Sequence, residues 1–190
     1  MGRKFYESMD LPSHILWTYI LERVVISNSV NSSPKFVLTS LFFAALPDIL
    51  ESTPFIVYLA LHRKKYGLKN FKSIFSFVID ITHNKQDEYD TNFPWAAKIS
   101  FYTHSFLMST VFALLLLNFS KWLFFSFLVG YGFHLLADVF LHKDYFSSRP
   151  FYPLNNFSIH GFVTWYKIKN FSRYNYGLLL ITYFIILWLK

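Results

Sequence analysis

"WLFFSFLVGYGFHLLADVFLH", Trp122 to His142, decides how this chain is read. The run is long and apolar enough for one membrane-crossing helix, which needs about 20 residues. Yet it places His134, Asp138 and His142 at four-residue intervals. Residues four apart on a helix lie one turn up on nearly the same face. A greasy helix with three metal-capable side chains in a row predicts a membrane protein with a polar site inside it.

The whole composition agrees. Of 190 residues, 54% are hydrophobic, 22% aromatic and only 15% charged, against roughly 25% charged in an average soluble domain. The 24 Phe and 13 Tyr exceed what a small soluble globule can hide. The fold class expected is all-α, a polytopic membrane helical bundle forming a single domain over 1–190. The net charge is +7. Its basic residues sit beside apolar runs, in "HRKKYGLKNFK" (His62 to Lys72) and "KIKNFSR" (Lys167 to Arg173). That placement suits anionic headgroups and a cytoplasmic loop rather than a DNA groove, so no nucleic-acid partner is expected. With no cysteine in the chain, thiolate chemistry and Cys-type zinc sites are excluded, and any metal must sit on His, Asp and Glu. No secretory signal is expected, because Glu22 and Arg23 interrupt the first apolar stretch. Gly2 lacks the downstream Ser or Thr of a myristoylation signal.

Along the chain, Pro12 and Ser13 open an amphipathic or partly inserted helix over 12–30. Residues 27–34 read as a turn-rich linker. Residues 35–61 read as a kinked or broken helix, because Pro47-Asp48, Glu51 and Pro54 interrupt an apolar run. A basic loop (62–72), a short amphipathic helix (73–82) and a polar loop (82–94) follow. Residues 95–119 read as the strongest span, 122–142 as the next, and 176–189 as a short closing span. Cytoplasmic basic loops at 62–72 and 143–175 then set the orientation. They bring His104, His134 and Asp138 to a similar depth, with Asp48 also embedded.

His134 and Asp138 can offer an imidazole nitrogen and a carboxylate to one point. His142 would lie about 12 Å along a straight helix from His134. It joins only if the helix ends near Leu141, or if a second metal has Asp138 between the two. The plain alternative is a buried hydrogen bond in which Asp138 merely orients His134. The membrane weighs against it. Each embedded ionisable group costs at least about 2.5 kcal/mol, and a shared divalent cation lowers that cost for several at once.

Four stretches in order, "ALPDIL" (Ala45 to Leu50), "YTHSFL" (Tyr102 to Leu107), "GYGFHLLADVFLH" (Gly130 to His142) and "RPFYPL" (Arg149 to Leu154), carry a family likeness. Over roughly residues 10–155 the chain resembles the membrane-bound metal-dependent hydrolases, inner-membrane proteins with His/Asp motifs. The resemblance implies a divalent, zinc-like metal held by His104, His134 and Asp138. It adds Asp48 as the carboxylate of the Pro-Asp element and His14 as the family's N-terminal histidine. The chain departs from the pattern where many members have Asp-His after Pro-Asp-Ile; here Leu50 and Glu51 stand. It departs again where many have His-Arg-Gly before Thr-His-Ser; here Ile99, Ser100, Phe101 and Tyr102 precede the motif.

Glu51, one turn after Asp48, is a candidate general base or second ligand, and His142 a candidate catalytic group. Arg149 is a candidate for holding a substrate phosphate or a lipid headgroup; Asp144 lies near it in sequence. His62, His83 and His160 read as headgroup-facing, surface and loop residues respectively. The expected activity is hydrolysis of a lipid-like ester or phosphoester by a metal-activated water, in a multi-pass inner (cytoplasmic) membrane protein whose site lies near the cytoplasmic face. Two alternatives stay open. One is a non-enzymatic membrane protein with a structural metal site or a polar network binding its helices. The other is a peripheral helical enzyme, for which the mean hydropathy of +0.32 leaves room.

Overall fold

The computed structural model of the chain describes residues 11–26, 33–143, 147–163 and 168–188. The linker tip at 27–32, Gly2 and Asp144 lie outside the described residues. All regular structure among the described residues is helical, apart from an isolated bridge between Ser148 and Ile159.

Helix α1 (Leu11–Leu21) runs into a π-helical turn at Glu22–Ile26. Helix α2 (Pro34–Leu61) starts on a Ser33 side-chain cap with Pro34 in its first turn, the position where a missing N–H costs nothing. It then continues for 28 residues. The helix does not end at Pro47 or Pro54, where a kink or break is expected. On one side of the prolines Phe43 belongs to one core with Phe127, Tyr131 and Leu135, while on the other Phe55 and Leu59 belong to another with Ile74, Ile81, Tyr89 and Phe93. This second core recruits α3 (Phe71–Asn84), which starts on a reciprocal Asn70/Ser73 capping box. It also recruits α4 (Gln86–Asn92). The sequence reading left the α4 segment as loop; its buried Tyr89 stacks edge-on against Phe55, and that contact supplies the apolar anchor which seven mostly polar residues lack by themselves.

The 95–119 stretch, expected as one span, is two helices: α5 (Pro94–Thr103) and α6 (Phe106–Phe119), bent by 58°. The local chemistry of Thr-His-Ser explains the break. The Thr103 hydroxyl bonds back to the carbonyls of Ile99 and Ser100, while the Ser105 hydroxyl accepts from Met108 N and so starts a new helix. Backbone groups at the break are taken up by the Arg149–Leu154 loop: Leu107 N donates to Pro150 O at 2.8 Å, and Ser105 Oγ donates to Tyr152 O at 2.7 Å.

The 122–142 run is α7 (Lys121–Phe127), a π-helical turn at Leu128–Gly132 and α8 (Phe133–Leu141). It lies parallel to α2, since Gly130 faces Ser40 and His134 faces Ala44. Gly130 is required there, because a Cβ would stand 2.0 Å from the Ser40 carbonyl oxygen. Helix α9 (Phe171–Trp188) is tied to α1 through Asn175, which accepts from Trp17 Nε1 and donates to Ser13 Oγ, both at 2.8 Å.

By length and composition, α2 and the Lys121–Leu141 run could cross a membrane, and the bent α5–α6 pair makes a third if counted as one span. The closing span expected at 176–189 is not among them. At 18 residues α9 is barely long enough, and polar residues such as Arg173 and Asn175 fill its first turns.

Candidate metal centre

Each polar side chain of the site arrives from a different local device. Asp48 and Glu51 project from α2, one turn apart. His104 caps α5 at the break, with φ −102° and ψ 18°. His134 and Asp138 lie one turn apart on α8, and His14 comes from the buried face of α1. Helix α8 ends at Leu141, and His142 leaves the helix with φ −111° and ψ 95°. This is the geometry in which a helix terminus brings His142 back toward the pair. Its Nε2 stands 3.8 Å from Asp138 Oδ1.

The ring nitrogens are assigned by their neighbours. His134 Nδ1 lies 2.8 Å from Ala44 O, and His104 Nδ1 lies 3.1 Å from Ser100 O. A carbonyl only accepts, so both Nδ1 atoms carry the proton. In each neutral ring Nε2 is then a bare lone pair. Those two Nε2 atoms are 3.3 Å apart. Asp138 Oδ2 stands 3.1 Å from His134 Nε2 and 3.4 Å from His104 Nε2. Asp48 Oδ1 is 3.6 Å and 3.8 Å from the same two nitrogens. Acceptors aimed at one another repel, unless a cation lies among them or the imidazoles are charged. The spacing also suits the first case. Bonds of about 2.0–2.1 Å in a tetrahedral site put neighbouring ligand atoms about 3.3 Å apart. Both oxygens of the buried Asp138 carboxylate also lack a hydrogen-bond partner, a costly state that a bound cation would relieve. The residues present therefore fit a divalent metal ion. Ligand atoms of His14, His134 and Asp138 lie within 4.8 Å of one another, as do those of Asp48, His104 and His134.

The Nδ1–H to carbonyl bonds of His104 and His134 are the outer interactions that orient a metal-ligating histidine. His14 and His142 keep low proton affinity chiefly because burial disfavours the charged ring: the His14 pKa falls to about 4, and that of His142 falls below its ordinary value. Neutral imidazoles are what a metal requires.

Access is graded. The side chains of His134, Asp138 and His14 are 0%, 2% and 3% exposed, whereas those of His104, Glu51 and Asp48 are 15%, 25% and 31% exposed. The accessible side opens into a recess of about 30 Å³, bordered by Glu51, Ser100, His104, His142, Ser148 and Arg149. Glu51 Oε2 lies 3.4 Å from His104 Nδ1. The Arg149 guanidinium stacks 3.6 Å above the Phe101 ring, and its buried Nε has no hydrogen-bond partner.

All eight candidate residues, His14, Asp48, Glu51, His104, His134, Asp138, His142 and Arg149, thus border one centre or its mouth. Leu50, where many of the resembled family have Asp, is exposed on the other side of α2. His62 is exposed and bonded to Tyr58 O, and His160 to Lys143 O. His83 differs from its surface reading. It is half-buried. The sequence reading missed Phe101 as the platform for Arg149, Ser100 and Ser148 as lining, and the Ala44 carbonyl. Only Ala44 had a signal, the small-residue pair Ala44-Ala45 just before Pro47-Asp48. No family model, curated protein or solved structure matches the chain.

Proposed function

We propose that this chain is a multi-pass protein of the inner (cytoplasmic) membrane, and that it hydrolyses an ester or phosphoester of a lipid-like substrate with the help of a divalent metal such as zinc. The observation that carries the reading is the convergence of the His104 and His134 lone pairs on the Asp138 and Asp48 carboxylates, with both tautomers set by backbone carbonyls. The four motifs shared with membrane-bound metal-dependent hydrolases support it, as does the apolar outer surface, where Leu38, Phe42, Leu61 and Phe119 are all more than half exposed. A lipid environment covers such a surface. The basic 62–72 loop at the end of α2 supports a site near the cytoplasmic face.

A bound divalent cation would supply Lewis-acid polarisation and acidify a water at neutral pH. The chain's own groups do the rest. Asp138, His104, His134 and Asp48 would hold the ion. Glu51 borders the recess and is placed to accept a proton from that water. Arg149, oriented flat on Phe101, offers N–H donors to an anionic oxygen of the substrate.

The rival reading, a closed structural metal, draws on the complete burial of His14, His134 and Asp138. One experiment separates the two. Detergent-purified protein is analysed for metal and assayed on vesicles of phospholipid and of neutral ester lipid. Metal bound by wild type and absent from His134→Ala is expected, with turnover of one lipid class that Glu51→Gln abolishes while its metal stays. Bound metal without turnover leaves the structural reading; equal trace metal in both proteins defeats both.

A further inference from the structure

The Asp138 carboxylate faces two sets of imidazoles, one with each oxygen. Oδ2 looks toward His104 Nε2 and His134 Nε2 at 3.4 and 3.1 Å. Oδ1 looks toward His14 Nε2 at 3.5 Å and His142 Nε2 at 3.8 Å. The second set also offers two imidazole nitrogens to one carboxylate oxygen, at 3.5 and 3.8 Å, somewhat longer than in the first.

A single ion cannot serve both sets. The His14 and His134 rings stack with centroids 3.8 Å apart and planes tilted by only 25°. An imidazole binds a metal in the plane of its ring. An ion in the plane of one of two nearly parallel stacked rings lies well outside the plane of the other. The stack therefore directs its two lone pairs to two positions rather than one. Paired metal ions in hydrolytic enzymes are typically about 3.5–4 Å apart.

From this geometry we infer a binuclear centre: Asp138 bridges two divalent cations, one held by His104, His134 and Asp48, the other by His14 and His142. The inference rests on the metal reading above and extends it. His142 stands at the end of α8, where the chain leaves the helix. Gly161 guards that end. Its N–H donates to His142 O at 2.9 Å, and Phe162 N donates to Phe140 O at 2.9 Å. Charge points the same way. One divalent ion leaves Asp48, Glu51 and Asp138 one negative charge in excess, whereas two reverse the sign and suit the centre, with Arg149 at its mouth, to an anionic phosphoester.

The test is a count. Full-length protein in detergent is equilibrated with excess zinc, desalted, and its metal measured per polypeptide. Two equivalents are expected in wild type and one in His142→Ala. One equivalent in wild type, lost in His134→Ala, overturns the binuclear centre and leaves the single-metal reading standing; no bound metal overturns both. Two equivalents in His142→Ala also overturn the second site. A second measurement needs no variant: wild type loaded with manganese should give the spin-coupled resonance of two nearby ions. An uncoupled single-ion spectrum at saturation refutes the bridge.

Discussion

Gly130→Ala tests the link between helix packing and the metal centre. The added Cβ would meet Ser40 O at 2.0 Å, Ala44 N at 2.8 Å and the Phe43 Cβ at 2.9 Å. Carbon and a carbonyl oxygen settle about 3.3 Å apart, so α2 and the π-helical turn must separate by about 1.3 Å. No rotamer relieves this, because two of the atoms met are backbone and the third is a Cβ. One turn further on, His134 Nδ1 donates to Ala44 O at 2.8 Å. Opening the helices by that amount carries the bond past the roughly 3.2 Å limit of a good hydrogen bond. Overpacking of this kind costs about 1–3 kcal/mol, a fall in melting temperature of roughly 2–12 °C for a chain of this size. Loss of the orienting carbonyl should weaken zinc binding about 10–100-fold. The assays are thermal unfolding by circular dichroism in detergent and zinc competition against a chromophoric chelator. Wild-type melting in the variant would refute the packing argument. A lowered melting temperature with unchanged zinc affinity would refute the transmission from Gly130 through Ala44 to His134.

Two other substitutions probe separate regions. Gly161→Ala brings a Cβ to 2.6 Å from Val139 O and 2.7 Å from Phe140 O; it should displace the end of α8, and metal analysis should then show His142's equivalent lost and the other retained. Glu22 is buried with neither carboxylate oxygen hydrogen-bonded, and burial raises its pKa from 4.5 to about 7. The folded protein then binds the proton more tightly than the unfolded chain, so stability falls as pH rises between those values. Glu22→Gln should remove that slope and melt higher than wild type at pH 8; parallel melting curves of the two proteins from pH 5 to 8 would contradict the assignment.

The sequence by itself determined the helical class and most of the site's membership. Apolar runs of spanning length leave few alternatives to helices, and a four-residue spacing puts His134 and Asp138 on one face whatever surrounds them. The two polar motifs at Asp48 and His104 stood out because ionisable groups are rare in such runs. Where helices break was less legible. Proline in α2 predicted a kink or break, yet the helix does not end there, while Thr-His-Ser, with no proline, is where the chain bends by 58°, because a hydroxyl at each flank completes the backbone hydrogen bonds that the break frees. Only the tertiary structure decided the rest. Tautomers depend on the carbonyls of Ala44 and Ser100, one of them on another helix. His142 leaves the end of α8 against the 159–163 segment, with its Nε2 3.8 Å from Asp138 Oδ1. The stacking of His14 on His134 joins residues 120 positions apart in the chain. Spacing along one helix specifies directions around its axis; distances between helices come from side-chain volumes and backbone approach, as at Gly130, which no local pattern encodes.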